Sequence, residues 1–309
     1  MTITKIENNI YTGLEPTSEN LEELKNHQIK LLIKLFPDNN REDEKNFIKK
    51  EDLSIEDYDM NILKIEIPEK VLDTYILAYT PLVDIVKVIY IESLKVPVYI
   101  YSVDNGLDVI LTSLLYAFIN NKNIQEVTKE IKRLGLIEKS FGCKNLYNMS
   151  VITEGVKSII TKYLVPYDFY RAPSPFSNFS KHKVFSSRFN KTFPYSEALF
   201  MAFESPKDED YINKLSLVKT PNVAKSLGRK VKLRDDWEEV KFDFMVETLR
   251  EKVKSNPDLK ISLEETKLQP IYEHTKNDKI WGDNIDRTGR NLLGKAWNKI
   301  RLEYTAGLI

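Results

Sequence analysis

Apolar and polar positions follow two patterns in the first half of the chain. Short apolar runs bounded by polar residues or proline predict buried strands at residues 31–36, 62–67 and 96–101. Between these runs the apolar positions recur at helical spacing, which predicts helices at residues 18–27, 70–94, 107–120 and 124–134. Strands that alternate with helices in this way are typical of a small α/β domain.

The pattern weakens between residues 138 and 166 and then changes character. A block rich in proline and serine, FYRAPSPFSNFSKHKVF, opposes regular structure. Further helices are predicted at residues 222–227, after Asp236 and at residues 292–303, with Asp236 and Glu239 in a capping-box pattern. We therefore predict an α+β protein of two domains, an α/β domain at residues 1–145 and a mainly helical domain at residues 160–309.

Composition narrows the class of protein. A chain of 309 residues, 42% hydrophobic, with 46 basic and 46 acidic residues can bury a sizeable core. Its zero net charge argues against non-specific electrostatic binding to nucleic acid or membrane. The single cysteine, Cys143, fits a reducing compartment, and from the sequence we expect neither a secretory signal nor a membrane-spanning segment. We expect a cytoplasmic protein without membrane contacts.

Residues 272–294, YEHTKNDKIWGDNIDRTGRNLLG, form the most polar and glycine-rich part of the chain. Aromatic, carboxylate and amide side chains are denser here than a fold alone requires, and Gly282, Gly289 and Gly294 allow close backbone approach or turns. The segment predicts a binding loop. The three histidines are scattered through the chain without paired-ligand spacing, so we expect no metal site and no cofactor.

The N-terminal half has the layout of a phosphate-binding loop, with a strand, the residues SVDNGLDV and an apolar helix. Together with INNIYTGLEPTSENLEELKNHQIKLLIKLF, it resembles the dual-specificity phosphatase family, whose loop reads His-Cys-x-x-Gly-x-x-Arg. Gly106 matches the glycine, but Ser102, Val103 and Val109 stand at the histidine, cysteine and arginine positions. Valine can neither attack nor bind phosphate, so we predict a phosphatase-like domain without catalysis. Anion binding by the loop's backbone N–H groups stays an alternative.

The C-terminal half carries a series of blocks in order: FYR, PFSNFS, FPYSEALF, AKSLGR, DDWEEVKFDFM, YEHTKNDKIWGD and GRNLLGKAW. With these blocks, residues 169–304 resemble the NADAR, or YbiA-like, family of N-glycosidases. The resemblance implies hydrolysis of a C–N bond between ribose and an amine-bearing base. Expected substrates are the phosphoribosylamino-pyrimidines of early riboflavin biosynthesis, which would release ribose 5-phosphate. Removal of ADP-ribose from guanine bases, with ADP-ribosylated nucleic acid as partner, is an alternative, as is ligand binding without catalysis.

Cleavage of such a bond builds positive charge at the sugar carbon, so two carboxylates are expected. Glu197 and Asp283 match family positions. We assign sugar stabilisation or water activation to Asp283 and the acid/base role to Glu197, with the order open. Outside catalysis, Glu197 would be a helix first-turn carboxylate and Asp283 a turn residue.

The same resemblance and the chemistry of the side chains assign nine residues to substrate binding, namely Arg171, Asn178, Trp237, His274, Trp281, Gly282, Arg290, Asn291 and Lys295. Stacking on the base is expected of Trp281, and hydrogen bonds to the sugar or base are expected of the two asparagines. The three cations are candidates for a ribose phosphate, and the histidine for a proton shuttle. Trp237 is also a core candidate, and surface charge or loop capping is the alternative for the others.

Three positions depart from the family pattern. Met201 and Glu204 stand where glutamine and lysine are common, and Asn284 replaces the last glycine of WGDG. Asparagine tolerates the left-handed backbone region, so we expect the loop shape to survive. The missing lysine puts phosphate binding or chemistry at that position in doubt.

Overall fold

A computed structural model describes residues 3–38, 58–68, 79–102, 106–136, 146–276 and 278–309. The chain forms two compact units, Met1–Val165 and Pro166–Ile309. Both units mix helices with strands, so the α+β class is as predicted.

The elements are numbered here in chain order. The strands are β1 (Thr4–Glu7), β2 (Ile10–Thr12), β3 (Leu31–Asp38), β4 (Asn61–Pro68), β5 (Val98–Ser102), β6 (Tyr167–Phe169), β7 (Val184–Ser186), β8 (Lys191–Phe193) and β9 (Ile271–Glu273). The helices are α1 (Leu21–Asn26), α2 (Tyr79–Lys95), α3 (Leu107–Asn120), α4 (Ile124–Leu134), α5 (Leu146–Tyr163), α6 (Ser196–Ala202), α7 (Glu209–Ser216), α8 (Pro221–Gly228), α9 (Trp237–Ser255), α10 (Asp258–Glu265) and α11 (Leu292–Thr305).

In the N-terminal unit, five strands form one sheet in the order β1-β2-β5-β3-β4. β1 runs antiparallel to β2, and the other neighbours are parallel, with Ile33 opposite Ile100 in the β3–β5 pair. The first four residues of β5 are buried, as the continuous apolar run of a central parallel strand requires. The three predicted strands are confirmed, each within two residues at either end.

The described residues around the loop of this unit place a carboxylate, and no cation, at the start of the following helix. Gly106 begins α3 with a φ of 74°, and Val109 is buried in the first turn of that helix. Asp108, also buried, accepts a hydrogen bond from the Ser102 hydroxyl at 2.9 Å. A carboxylate at the start of the helix repels a second anion, which argues against the anion-binding alternative. Val103 and Cys143 lie outside the described residues.

The C-terminal unit packs its helices around one apolar core. β6 pairs in parallel with β9, and β7 pairs antiparallel with β8. The long helix α9 packs on α11 and α6, and α6 packs on α8. None of the helices in the described ranges combines the length and the apolar character that crossing a bilayer requires.

The predicted capping box at the start of α9 is wrong. Asp236 makes no side-chain cap bond to the helix. Its carboxylate instead forms a two-pronged ion pair with Arg234, two residues earlier. A charged guanidinium fork is a stronger partner for a carboxylate than a backbone N–H, and the sequence pattern did not weigh that competition.

Candidate active site

Glu197 lies in the first turn of α6 and is 6% exposed. Its backbone N–H donates to the carbonyl oxygen of Asn178 at 3.2 Å. Burial raises the pKa of the Glu197 carboxyl to about 7, against the opposing effects of the Lys225 charge and of a hydrogen bond with the Asn178 side chain. Such a carboxyl holds its proton near neutral pH and can act as an acid.

A second carboxylate, Glu273, ends strand β9 and is half-buried. Burial, with the charges of Asp278 and Glu197, raises the pKa of Glu273 to about 7, against the opposing charge of Lys225. Within the described part of the chain, the Glu273 carboxylate makes no hydrogen bond. Glu197 and Glu273 thus interact electrostatically, and the second carboxylate keeps its oxygens available.

The segment at residues 175–180 includes Asn178, and buried side chains donate hydrogen bonds to its backbone carbonyls. The ammonium of Lys252 donates to the carbonyl oxygens of Pro175 and Ser177 at 2.6 and 2.9 Å. The indole N–H of Trp297 donates to the next carbonyl, that of Phe176, at 2.7 Å. These three bonds fix the backbone that accepts from Glu197.

Asn178 itself is 6% exposed and has one amide N–H aimed at the sulfur of Met245, at 3.4 Å. Its side-chain oxygen has no hydrogen-bond partner among the residues that the structure describes. A buried amide oxygen without a partner is destabilising unless a ligand supplies a donor. The position beside Glu197 therefore suits a ligand N–H or hydroxyl group.

Asp283 is fully buried, with all its acceptor sites engaged by donors of the protein. One carboxylate oxygen accepts from the N–H groups of Thr275 and Ile285 at 3.3 and 3.0 Å. The other lies 2.6 Å from Arg287 and 2.9 Å from the ring of His274. This arrangement differs from the expectation that Asp283 faces the sugar, because it leaves no oxygen for a substrate.

Arg287 links the Asp283 carboxylate to strand β6. This arginine was not assigned to the site from the sequence. Its guanidinium forms a fork on Asp168 of β6, with both contacts at 2.8 Å, and lies over the Tyr272 ring at 4.4 Å from the centroid. The side chains of Asp168, His274 and Asp283 place ligand atoms within 4.8 Å of one another. These three groups meet although the histidines are scattered along the sequence, and the guanidinium cation of Arg287 already bridges the two aspartates.

The loop from residue 278 to 291 depends on close backbone packing. A Cβ at Gly282 would lie 2.3 Å from the Thr275 methyl and 2.8 Å from the Asp278 carbonyl. Asn291, 3% exposed, accepts the Glu273 N–H at 3.1 Å and donates to the Ile271 carbonyl at 2.8 Å. We therefore correct the assignment of Asn291 to substrate binding, because its buried amide clamps the loop to β9. Gly282 likewise serves packing.

Trp281 and Trp237 both pack against the Phe200 ring. Trp281 is half-buried and packs edge-on against Phe200, with centroids 5.1 Å apart. Trp237 is 8% exposed and lies against Phe200 at 5.3 Å and parallel to Phe244 at 6.4 Å. Trp281 stays partly exposed, whereas Trp237 is a core residue that packs against Phe200.

The three cations assigned from the sequence are exposed, and a fourth acts on the two carboxyls. Arg171, Arg290 and Lys295 are all exposed, and Arg171 packs its guanidinium on Tyr170 at 4.7 Å. Lys225, exposed on α8, is the cation whose charge lowers the pKa values of both Glu197 and Glu273. It lies within AKSLGR, one of the blocks that carries the family resemblance, yet sequence reasoning did not assign it to the site.

Glu273 was also missed. It stands beside the chosen His274 in the polar segment, but nothing local marks a glutamate at a strand end as a pocket residue. The structure also shows the surroundings of Asn284 and Glu204, two of the positions that depart from the family pattern. Asn284 adopts the left-handed region with a φ of 62°, as predicted for a loop that keeps its shape. Glu204 is buried and accepts a hydrogen bond from Tyr211 at 3.1 Å.

Comparison with known proteins finds relatives of the C-terminal half. The profile of the NADAR domain matches residues 168–304. N-glycosidase YbiA of Escherichia coli (strain K12) is 34% identical over 137 residues, which cover 43% of this chain and 85% of that protein. Its solved structure, at 32% identity, covers 46% of this chain and 86% of that chain with a TM-score of 0.43. The predicted resemblance of the C-terminal half is confirmed.

Two further proteins are similar to parts of the chain. The riboflavin biosynthesis protein PYRR, chloroplastic, of Arabidopsis thaliana is 32% identical over 111 residues, 34% of this chain and 18% of that protein. The crystal structure of PTPMT1 is 13% identical and covers 52% of this chain and 98% of that chain, with a TM-score of 0.35.

Proposed function

Because the chain belongs to the NADAR family through residues 168–304, we propose that it is an N-glycosidase of phosphoribosylamino-pyrimidines. It would hydrolyse the C–N bond of these early riboflavin intermediates and release ribose 5-phosphate and a pyrimidine. The name of the PYRR relative supports the riboflavin context. One observation carries the chemistry: Glu197 is a buried carboxyl with a pKa of about 7, and it interacts with a second carboxyl, Glu273, of equal pKa.

The two carboxyls divide the work of hydrolysis. Glu197, the more buried, holds its proton and gives it to the departing nitrogen as the C–N bond breaks. Glu273, half-exposed, takes a proton from the water whose oxygen bonds to the anomeric carbon. Glu197 ends ionised and Glu273 protonated, and exchange with solvent restores both. Burial raises the pKa of both carboxyls to about 7, so each can give or take a proton near neutral pH.

Neighbouring groups position the substrate. The unpartnered oxygen of Asn178 accepts a donor from the base or the sugar. Lys225, exposed and electrostatically coupled to both carboxyls, supplies positive charge for the 5-phosphate in place of the lysine that Glu204 replaces. Asp283 acts as a positioning residue, because its bonds to Arg287 and His274 hold the loop that follows β9.

The assay uses 5-amino-6-(5-phosphoribosylamino)uracil with the full chain and follows ribose 5-phosphate and the free pyrimidine together. We expect equal amounts of the two products. Glu273→Gln should reduce turnover by about 100-fold, within the usual range for loss of a general base. Binding of the substrate without product would favour the non-catalytic alternative instead.

A second substrate, ADP-ribosylated guanine in nucleic acid, is favoured by a basic strip beside the pocket. Between residues 217 and 234 the sequence contains no acidic residue. Its exposed cations are Lys219, Lys225, Arg229, Lys230 and Lys232. Phosphate contacts dominate nucleic-acid affinity and weaken with salt. This substrate would be selected if ADP-ribose is released from a modified oligonucleotide at a higher rate than the pyrimidine is released from its substrate. That rate should also fall steeply as the salt concentration rises.

A further inference from the structure

The side chain of Asn178 has one open hydrogen-bonding position, and that position is an acceptor. An asparagine amide carries two N–H donors and one oxygen. Here the amide nitrogen lies 3.4 Å from the Met245 sulfur, and the side chain also forms a hydrogen bond with the Glu197 carboxyl. The oxygen has no hydrogen-bond partner in the described ranges. A ligand group that completes this amide must therefore be a donor.

The Asn178 amide is fixed next to the proposed acid. The Glu197 N–H and the Ser196 hydroxyl donate to the backbone carbonyl of Asn178 at 3.2 and 3.3 Å. Asn178 and Glu197 are each 6% exposed, so the amide and the carboxyl are buried side by side. A substrate atom that receives the Glu197 proton therefore comes within reach of the open oxygen of Asn178.

The proposed substrate brings a donor to this place. In a phosphoribosylamino-pyrimidine the nitrogen that links sugar and base is an exocyclic amine and carries one hydrogen. In an ordinary nucleoside 5-phosphate the glycosidic nitrogen belongs to the ring and carries none. We propose that the Asn178 oxygen accepts the linking N–H and thereby restricts the enzyme to N-glycosides of exocyclic amines. The inference rests on the proposed glycosidase function and decides which donor meets Asn178.

The contact should strengthen as the reaction proceeds. The proton of Glu197 passes to the linking nitrogen, the C–N bond breaks with its electron pair moving to nitrogen, and the base leaves as a free amine. During this step the nitrogen carries two hydrogens and positive charge, and a hydrogen bond from a charged donor is about twice as strong as a neutral one. A ring nitrogen would instead leave the buried oxygen unpaired, a mismatch that binding sites reject strongly.

The test compares three substrates of the full chain. They are 5-amino-6-(5-phosphoribosylamino)uracil, its analogue methylated at the linking nitrogen, and its 2-deoxyribose analogue. Each is assayed for kcat/KM with the wild type, Asn178→Leu and Asn213→Leu. Leucine keeps the branching of the asparagine side chain without its amide, and Asn213, exposed on α7, is the matched control.

In the wild type and in Asn213→Leu, methylation of the linking nitrogen should lower kcat/KM by about 100-fold or more. Asn178→Leu should be about 100-fold slower on the parent substrate, and methylation should cost it less than about threefold. Removal of the 2-hydroxyl should change kcat/KM by the same factor in all three proteins, because that group makes no bond to Asn178.

Three results would overturn the inference. The first is equal hydrolysis of the parent and methylated substrates by the wild type, which needs no variant. The second is an undiminished cost of methylation in Asn178→Leu, or in Asn178→Ala if the leucine variant fails to fold by circular dichroism. The third is a 2-hydroxyl effect that is lost in the Asn178 variant while the methylation effect stays, which would make the sugar the donor.

A failure of the proposed function is distinguishable from a failure of this inference. If the wild type hydrolyses none of the three substrates, the glycosidase function is contradicted, and calorimetric binding of the same compounds then tests the contact. Binding of the methylated compound that is weaker by about tenfold or more in the wild type, and not in Asn178→Leu, supports the inference. Equal binding of the parent and methylated compounds, or no binding of either, overturns it.

Discussion

The backbone N–H of Glu197 donates to the carbonyl oxygen of Asn178 at 3.2 Å, which joins the first turn of α6 to the segment at residues 175–180. The same carbonyl also accepts from the Ser196 hydroxyl at 3.3 Å. Buried donors from Lys252 and Trp297 hold the neighbouring carbonyls of that segment. The acid group of the proposed pocket is therefore fixed through its own backbone.

Burial of Glu197 should appear in the pH dependence of stability. Its pKa rises from 4.5 to about 7 on folding, so the folded state binds more protons between these values and stability falls as pH rises through that window. The Glu197→Gln variant should not lose stability in this way as the pH rises, because glutamine does not ionise. Its free energy of unfolding should improve on that of the wild type by about 1 kcal/mol for each pH unit from 4.5 to 7. Urea unfolding at several pH values checks this, and Glu209→Gln should show no such trend.

Lys252 should give the opposite trend at higher pH. Burial lowers its pKa from 10.5 to about 7, so between these values the unfolded chain binds the extra proton and wild-type stability rises with pH. Lys252→Met removes this gain as well as the bonds to residues 175 and 177. The destabilisation should grow by about 1 kcal/mol per pH unit between pH 7 and 10. A constant difference would contradict it, and Lys254→Met, exposed on the same helix, is the control.

Asn291 should be a structural clamp rather than a substrate ligand. Asn291→Ala removes both bonds that its amide makes to the backbone of β9. We expect a loss of about 2–3 kcal/mol in unfolding free energy. Asn213→Ala, at an exposed position of α7, should change stability by less than about 0.5 kcal/mol. Equal stability of the two variants would contradict the clamp.

Ile285 should be replaceable with a gain in stability. It is 49% exposed and adopts a φ of 62°, a conformation that strains a β-branched residue. Asn tolerates this region, so Ile285→Asn should raise the free energy of unfolding by about 1 kcal/mol. Ile261→Asn makes the same change at an exposed helical site and should bring no gain. Thermal unfolding of the two variants decides the point.

Local signals account for what the sequence predicted well. The helix at residues 124–134 has an Asn123 cap, a matching Glu126 and a left-handed Gly135, all within the helix and its ends, and its predicted bounds are those observed. The strand β9 was missed, because it has three residues and its partner β6 lies about a hundred residues away. Pairing between distant segments leaves no periodic trace in so short a strand.

The site was predicted in part for the same physical reason. Glu197 stands in a helix first turn within a family block, so it could be chosen from the sequence. Asp283 was chosen on equal grounds, yet its carboxylate is engaged by Arg287, which also binds Asp168, 119 residues away. Lys225 lies on a different helix, and only the packing of α8 on α6 makes its charge felt at the carboxyls. Such convergence is a property of the fold, not of the local sequence.

The most direct test of the central claim compares ribose 5-phosphate release from 5-amino-6-(5-phosphoribosylamino)uracil by the wild type, Glu197→Gln and Glu209→Gln at pH 7. If Glu197 is the acid, its variant should be slower by about 100-fold or more, and Glu209→Gln should match the wild type. Release by Glu197→Gln at the wild-type rate, or no release by the wild type above buffer, would contradict the account.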